Sequence, residues 1–337
     1  MSPTVAPVGC ATMWGDDYVV REATPADRDA VIRLCRLSLG WSQDDPDEAF
    51  FSWKHDENAF GVSPAWLAVA DGQVVGVRVF MQWRFRDPSG STLVAVRAVD
   101  TATDPDWQGR GIFTQLTLGA LPDLRSSGVD FVFNTPNDKS RPGYLKMGWS
   151  QVGRVPVAAR GSNVGVIAKL AGARTAADRW SVRVGAGMSA PEAFADEDEL
   201  ERLLRSLPQR SRIHTDRTVG YLRWRYSFGP LAYRVLPLGD RLSDGLVVFR
   251  VRRRGSAVEG TVCDVLVPSG SRAEPNWKAL AEECGADFML RAGHGSLPAG
   301  YVPVPGGGPI LTWKPICRHG VPAVRDVELS LGDLELF

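Results

Sequence analysis

Apolar positions change their period several times along this 337-residue chain, and each change marks an element. Residues 1–16 carry Pro3, Pro7, Gly9 and Gly15 with no periodicity and read as a flexible tail. Tyr18–Glu22 reads as a short strand. Thr24-Pro25-Ala26-Asp27 has the form of a helix start: Thr24 caps, Pro25 fits the first helical position, and Asp27 follows the cap at capping-box spacing. Ala30, Val31, Leu34, Leu37 and Ser38 keep the helical period, and a second helix is predicted over Pro46–Glu57. The period then falls to two. Trp66–Ala70 and Val74–Phe85 are predicted strands joined at Asp71-Gly72, a strong hairpin turn. Asp87-Pro88-Ser89-Gly90 turns the chain into a third strand, Thr92–Thr103. Gln108–Ser126 returns to the helical period, with Ile112, Phe113, Leu116, Ala120, Leu121 and Leu124 on one face. A buried strand at Val129–Phe133, a helix at Ser140–Met147 and a strand at Ser150–Ala158 follow. This order predicts an α+β fold, a mixed sheet with helices on its faces.

The small-residue stretch Asn163–Ala177 reads as a linker helix, after which the pattern partly repeats. Phe50-Phe51-Ser52-Trp53-Lys54 is echoed by Tyr221-Leu222-Arg223-Trp224-Arg225, and Phe60-Gly61 by Phe228-Gly229. Each copy is followed by a strand, a glycine turn and a longer strand. In the second copy these are Tyr233–Pro237, Gly245–Arg254 and Val258–Val267, then a helix at Pro275–Cys284 and a strand at Asp287–Leu290. Two copies of one supersecondary plan are therefore expected, in a first domain over 17–160 and a second lobe over 180–337, with 161–179 as the linker.

Composition narrows the function classes. Lys plus Arg total 39 and Asp plus Glu total 39, so a zero formal charge gives nucleic acid or an anionic membrane little to hold. No apolar run reaches the ~18 residues of a spanning helix, and Met1–Gly15 lacks the basic start of a secretory leader. The five cysteines are scattered with no C-x-x-C pair, so neither a disulfide framework nor a metal site is expected, and a cytoplasmic location fits.

The informative stretch is Thr103-Asp104-Pro105-Asp106-Trp107-Gln108-Gly109-Arg110-Gly111-Ile112-Phe113. A strand ends, Pro105 stops it, and a helix begins just after two glycines. Amides from Gly109 to Thr114 then have no intrahelical partner, which suits a phosphate. Arg110 can add a charge-assisted contact. No Walker lysine and no G-x-G-x-x-G occur, so neither an ATP loop nor a dinucleotide fingerprint fits. The glycines alone are equally compatible with a tight turn and nothing more.

A second motif follows: Asn137, Ser140, Tyr144, Gly148 and Trp149. The pair T-x-P-x-x-Q-G-R-G-I and N-x-x-S-x-x-x-Y-x-x-x-G-W resembles the GNAT superfamily of acyl-CoA-dependent N-acetyltransferases. The layout is similar to its tandem-lobe enhanced-intracellular-survival acetyltransferases. Phe113 departs from the family pattern, which has Gly or Ala there. The resemblance implies a GNAT fold with an acetyl-CoA loop in the first lobe and a degenerate GNAT-like second lobe. It implies acetyl-CoA as co-substrate, with no metal. Backbone groups of Thr101, Ala102 and Thr103 would hold the pantetheine arm. Gln108, Gly109, Arg110, Gly111, Ile112, Phe113 and Thr114 would form the pyrophosphate loop, and Asn137 would reach the cofactor arm. Tyr144 would be the general acid. Its chemistry suits that role: an amine attacking a thioester gives a tetrahedral intermediate whose departing thiolate needs a proton, and a phenol of pKa near ~10 carries one at neutral pH.

The amine must also lose a proton. Asp100, at the strand end beside the acyl site, is a candidate base, directly or through a water, and the tandem-lobe resemblance suggests the terminal carboxylate of Phe337 as another. Asp104 reads better as a turn carboxylate. Asp44, Asp45, Asp47, Glu48, Asp56 and Glu57 stand where the family builds its acceptor wall, but read better as a solvated helix start. His55, His214, His294 and His319 have no ligand spacing, and Trp41, Trp53, Trp66 and Trp83 read as core. The second lobe has Pro268-Ser269-Gly270-Ser271-Arg272-Ala273-Glu274-Pro275 where a phosphate loop would stand, so one cofactor site is expected. The expected activity is acetyl transfer to a primary amine of a small molecule, aminosugar or peptide, with no nucleic-acid or membrane partner and the oligomeric state left open. The alternatives are a non-catalytic acyl-CoA-binding protein and a Fem-type aminoacyl transferase. The latter is disfavoured by the intact Q-G-R-G.

Overall fold

A computed structural model describes residues 12–13, 17–42, 44–161, 176–294, 297–317 and 320–335. The linker helix expected over Asn163–Ala177 falls almost wholly outside these residues, as does most of the 1–16 tail.

Among the described residues two sheets carry the chain, one of ten strands and one of seven. The first is built on the meander Ala65–Ala70, Gln73–Arg86 and Thr92–Thr103, paired antiparallel. The Asp71-Gly72 turn has both residues at positive φ, +48° and +77°, the twist a tight hairpin requires. Val77 and Val79 face helices Arg28–Leu39 and Asp47–His55, while Phe80 and Val96 face Ile112–Gly119 and Arg141–Lys146. Alternation at period two thus feeds two helical layers, as the pattern predicted. The helix expected over Gln108–Ser126 is shorter and divided. It starts at Ile112, because Gly109 and Gly111 sit at φ +77° and +80°, and Pro122 opens a second segment, Leu121–Ser126.

The predicted strand Ser150–Ala158 is two strands. Ser150–Arg154 stays in the first sheet, and Val157–Gly161 crosses into the second, where it pairs with Phe288–Ala292. Pro156, which cannot donate to a ladder, stands at the break. Traffic also runs the other way. Ile310–Pro315 inserts between Phe131–Asn134 and Ser150–Arg154 of the first sheet. The expected division near 160–180 is therefore crossed by one strand from the first half and by three from the second, because Ile213–Thr215 and Val327–Glu328 also join the first sheet, so each sheet is completed by the other half.

The internal repeat is physically realised at the junction. Trp53 Nε1 donates to Trp224 O at 2.8 Å, and Trp224 Nε1 donates to Trp53 O at 2.6 Å. Their rings stack with centroids 5.7 Å apart. Both sheets also carry a bulge at one matching place. Asp100 is the extra residue opposite Arg78 and Val79, and Cys263 is the extra residue opposite Val248 and Phe249.

Candidate active site

Strand Thr92–Thr103 pairs in parallel with Phe131–Asn134 only from Ala95 to Arg97. Beyond Arg97 the two strands part, and the Asp100 bulge, at φ +42°, turns the chain at the mouth of the gap. A cleft of about 410 Å³ opens there, lined by Ser38, Thr101, Ala102, Thr103, Trp107, Gln108, Gly109, Gly111, Ile112 and Phe113. Most of the residues expected to hold a cofactor are thus gathered round one cavity. A Cβ added at Gly109 or Gly111 would meet nothing within 4 Å. These glycines are not there to admit a neighbouring side chain; they set the left-handed turns that present the amides of Ile112, Phe113 and Thr114. Asp104 is the turn carboxylate expected, accepting from Asp106 N at 2.9 Å.

Three expected residues stand apart from the cleft. Thr114 is exposed on the first helical turn. The Arg110 guanidinium turns to Asp17 at 3.1 Å and stacks over Trp107 at 4.4 Å. Asn137 is exposed, and its Oδ1 accepts from Lys139 N and Ser140 N, so it shapes the entry to the Arg141–Lys146 helix. Ser38 and Trp107 join the cleft without a sequence signal. Ser38 Oγ donates to Thr103 O at 3.0 Å, which takes one lone pair of a carbonyl expected to serve the pantetheine arm.

Tyr144 is 4% exposed, and its ring packs edge-on against Phe113 and Trp149 at 5.4 and 5.5 Å. Phe113, the departure from the family pattern, finds its space at Gly143, where a Cβ would lie 3.0 Å from the phenyl ring. The bulky residue thus links the cleft wall to Tyr144.

Asp100 is held from the opposite face. Lys54 Nζ lies 2.6 Å and His55 Nε2 2.7 Å from its Oδ2, and His55 Nδ1 meets Ser63 Oγ at 3.0 Å. Burial works against charge on Asp100, but Lys54 and His55 outweigh it and hold the carboxyl well below the usual range. A carboxylate so held is a weak base at neutral pH. The arrangement fixes the bulge instead. The Phe337 carboxylate lies outside the described residues. Four of the six acidic residues in and around the second helix have structural partners: Arg36 for Asp47, Trp180 for Asp45, Arg28 for Asp56 and Ser52 for Glu57.

Burial also pushes the imidazoles of His55, His214 and His294 below their ordinary value. An unfolded chain binds protons on them near pH ~6.5, whereas the folded chain binds them only at lower pH. The unfolded state therefore holds more protons in that window, and stability falls as pH falls. The melting temperature should drop between pH 7.5 and 5.5, and less steeply in His55→Gln. An equal acid slope in both proteins would remove His55 as a source.

In the second sheet, strands Ala257–Leu266 and Phe288–Ala292 likewise pair in parallel only over Glu259–Thr261. The space beyond is taken by the chain's own 331–335 segment. A Cβ on Gly332 would lie 2.3 Å from Tyr226 Oη and 3.2 Å from Cys263 O, and Glu335 accepts from Tyr233 Oη at 2.6 Å. Arg97 Nη1 donates to Asp333 O and Nη2 to Leu334 O at 3.3 Å, so the same segment reaches the first sheet.

Among the described residues no helix is long and apolar enough to cross a membrane, and no cluster of His, Cys, Asp and Glu is arranged to hold a metal. Residues 19–152 match the acetyltransferase (GNAT) domain family. The fold is similar to a GCN5-related N-acetyltransferase from Anabaena variabilis: TM-score 0.59, 10% identity, covering 88% of this chain and 73% of that one. A GCN5-related N-acetyltransferase from Kribbella flavida is also similar: TM-score 0.56, 15% identity, covering 89% and 71%. These likenesses span both lobes. No curated protein sequence matches the chain.

Proposed function

We propose that this chain, whose residues 19–152 form a GNAT acetyltransferase domain, transfers an acetyl group from acetyl-CoA to a primary amine by direct attack in a ternary complex. The observation that carries the reading is the cleft itself. A glycine-opened helix terminus, an unpaired strand edge at Thr101–Thr103 and the Phe113–Tyr144 contact meet round one cavity. That geometry fits the co-substrate. Amides from Gly109 to Thr114 take the pyrophosphate, and the strand edge takes the pantetheine amides. Acetyl-CoA supplies an acyl carbon activated by its thioester. Tyr144 supplies the proton that the departing sulfur needs. The acceptor is a small-molecule, aminosugar or peptide amine, and its proton leaves through water, since Asp100 is committed to Lys54 and His55.

Acetyl-CoA should raise the melting temperature through its preference for the native state, by an amount equivalent to about 2.7 kcal/mol at a hundredfold excess over Kd. Gly111→Gln places a side chain at a left-handed position that faces the cleft, and should abolish the shift while the unliganded protein still melts cooperatively. An unchanged shift in the variant would remove the phosphate-loop assignment. A free-thiol release screen over amine panels then tests transfer. Binding without release from any amine would favour a non-catalytic acyl-CoA-binding protein.

A further inference from the structure

Arg78 stands in the middle of the first sheet and none of it reaches solvent. Its Nε and Nη2 donate to Thr117 Oγ1 at 3.1 and 2.9 Å, and that hydroxyl donates onward to Phe113 O at 2.7 Å. Its Nη1 is buried with no hydrogen-bond partner among the described residues. Directly across the ladder is Thr101, whose Oγ1 is also buried without a partner among them. The guanidinium lies 4.9 Å from the Phe113 ring centre, 5.4 Å from that of Tyr144 and 5.6 Å from that of Phe80.

This is an expensive arrangement for a structural side chain. A fully buried cation ordinarily has a carboxylate beside it, and an unmade hydrogen bond adds to the cost. Aromatic faces recover part of that cost, yet they leave the Nη1 protons unused. Two unsatisfied polar atoms in register on one face point to a partner that arrives from outside. Thr101 and Phe113 both line the cofactor cleft, and Phe113 touches Tyr144. The guanidinium therefore lies behind the cleft wall, against the Phe113 and Tyr144 rings.

We propose that Arg78 is the receptor for the donor sulfur: its Nη1 holds the negative charge that develops there during transfer. The inference rests on the acetyl-CoA reading of the cleft. The amine nitrogen forms its bond to the acyl carbon and loses a proton to water. The carbon–sulfur bond breaks, and its electron pair stays on sulfur. Arg78 stabilises that pair until Tyr144 delivers its phenolic proton, and Tyr144 regains a proton from water. The sum is an N–H and a C–S bond exchanged for an N–C and an S–H bond. A guanidinium suits the post because it stays charged where an ammonium readily gives up its proton. Charge fixed in a site from which water is excluded acts without reorganisation.

The test uses the full chain with CoA and desulfo-CoA as probes, titrated by calorimetry from pH 7 to 9.5. In the wild type, the preference for CoA over desulfo-CoA should rise with pH as the bound thiol ionises. It should reach about tenfold, the effect of one unit of thiol acidity. Thiolate absorbance of bound CoA should appear at lower pH than for free CoA. Arg78→Gln should flatten the preference to near one and remove the early absorbance, with desulfo-CoA affinity kept. Arg78→Met keeps most of the buried volume without a charge and should flatten the preference as Arg78→Gln does, which separates lost charge from lost packing. A pH-independent preference in the wild type overturns the proposal without any variant having to fold. So does an equal preference in wild type and Arg78→Gln. Binding of neither probe to the wild type overturns the acetyl-CoA reading together with it.

Discussion

Tyr144→Phe should lower the single-turnover rate of acetyl transfer by about 10²–10⁴-fold while acetyl-CoA affinity stays near wild type. The substitution keeps the ring, and with it the edge contacts to Phe113 and Trp149 and the Arg78 guanidinium 5.4 Å from its centre. Only the hydroxyl is removed, so melting should change little. Single-turnover rates are the proper comparison, because slow product release would mask a slower chemical step in kcat. A wild-type rate would rule the general-acid role out, and water would then have to protonate the leaving sulfur. A rate loss that follows a fall in melting temperature would assign Tyr144 to packing instead.

Asp333→Ala should destabilise the protein by about 3 kcal/mol, at the low end for breaking a buried ion pair. For a chain of 337 residues, at about 2.1 cal/mol/K per residue, that is a fall of roughly 4 °C in melting temperature. Asp333 is fully buried. Its carboxylate accepts from Arg217 Nη2 at 3.1 Å, Tyr221 Oη at 3.2 Å and Ser330 N at 2.7 Å. Burial opposes its charge, and Arg217 with the Ser330 amide outweighs that, so the carboxyl lies below its usual range. Removing it leaves Arg217 with Asp264 at 2.6 Å, which keeps the loss from being larger. Asp333→Asn retains an acceptor and should cost less than Asp333→Ala. A fall below 2 °C for Asp333→Ala would show that the 331–335 segment contributes little to holding the lobes together.

The site was legible where it is local. The strand end, Pro105, the two glycines and the helix start after them lie within about a dozen consecutive residues, and the backbone there can adopt little else. The hairpin at Asp71-Gly72 was legible for the same reason. Arg78 gave no signal, because an arginine in a strand reads as an exposed edge residue until the helix that covers it is placed. Asp100 read as a free carboxylate beside the acyl site. Only the approach of Lys54 and His55, more than forty residues earlier in the chain, shows that it is committed.

The sequence by itself determined the alternation of the meander, the helical faces, the glycine turn before Ile112, the Tyr144 helix and the existence of a repeat. All of these depend on period, capping and left-handed backbone positions, which act over a few residues. Tertiary structure alone decided which sheet each short strand joins. Val157–Gly161 pairs with Phe288–Ala292 of the second half, and Ile310–Pro315 fills the gap between two strands of the first; neither stretch has a preference of its own. It also decided that the second lobe's gap would be filled by residues 331–335. That outcome depends on Gly332 fitting against Tyr226 and Cys263, a matter of shape between segments that the chain brings together only when it folds.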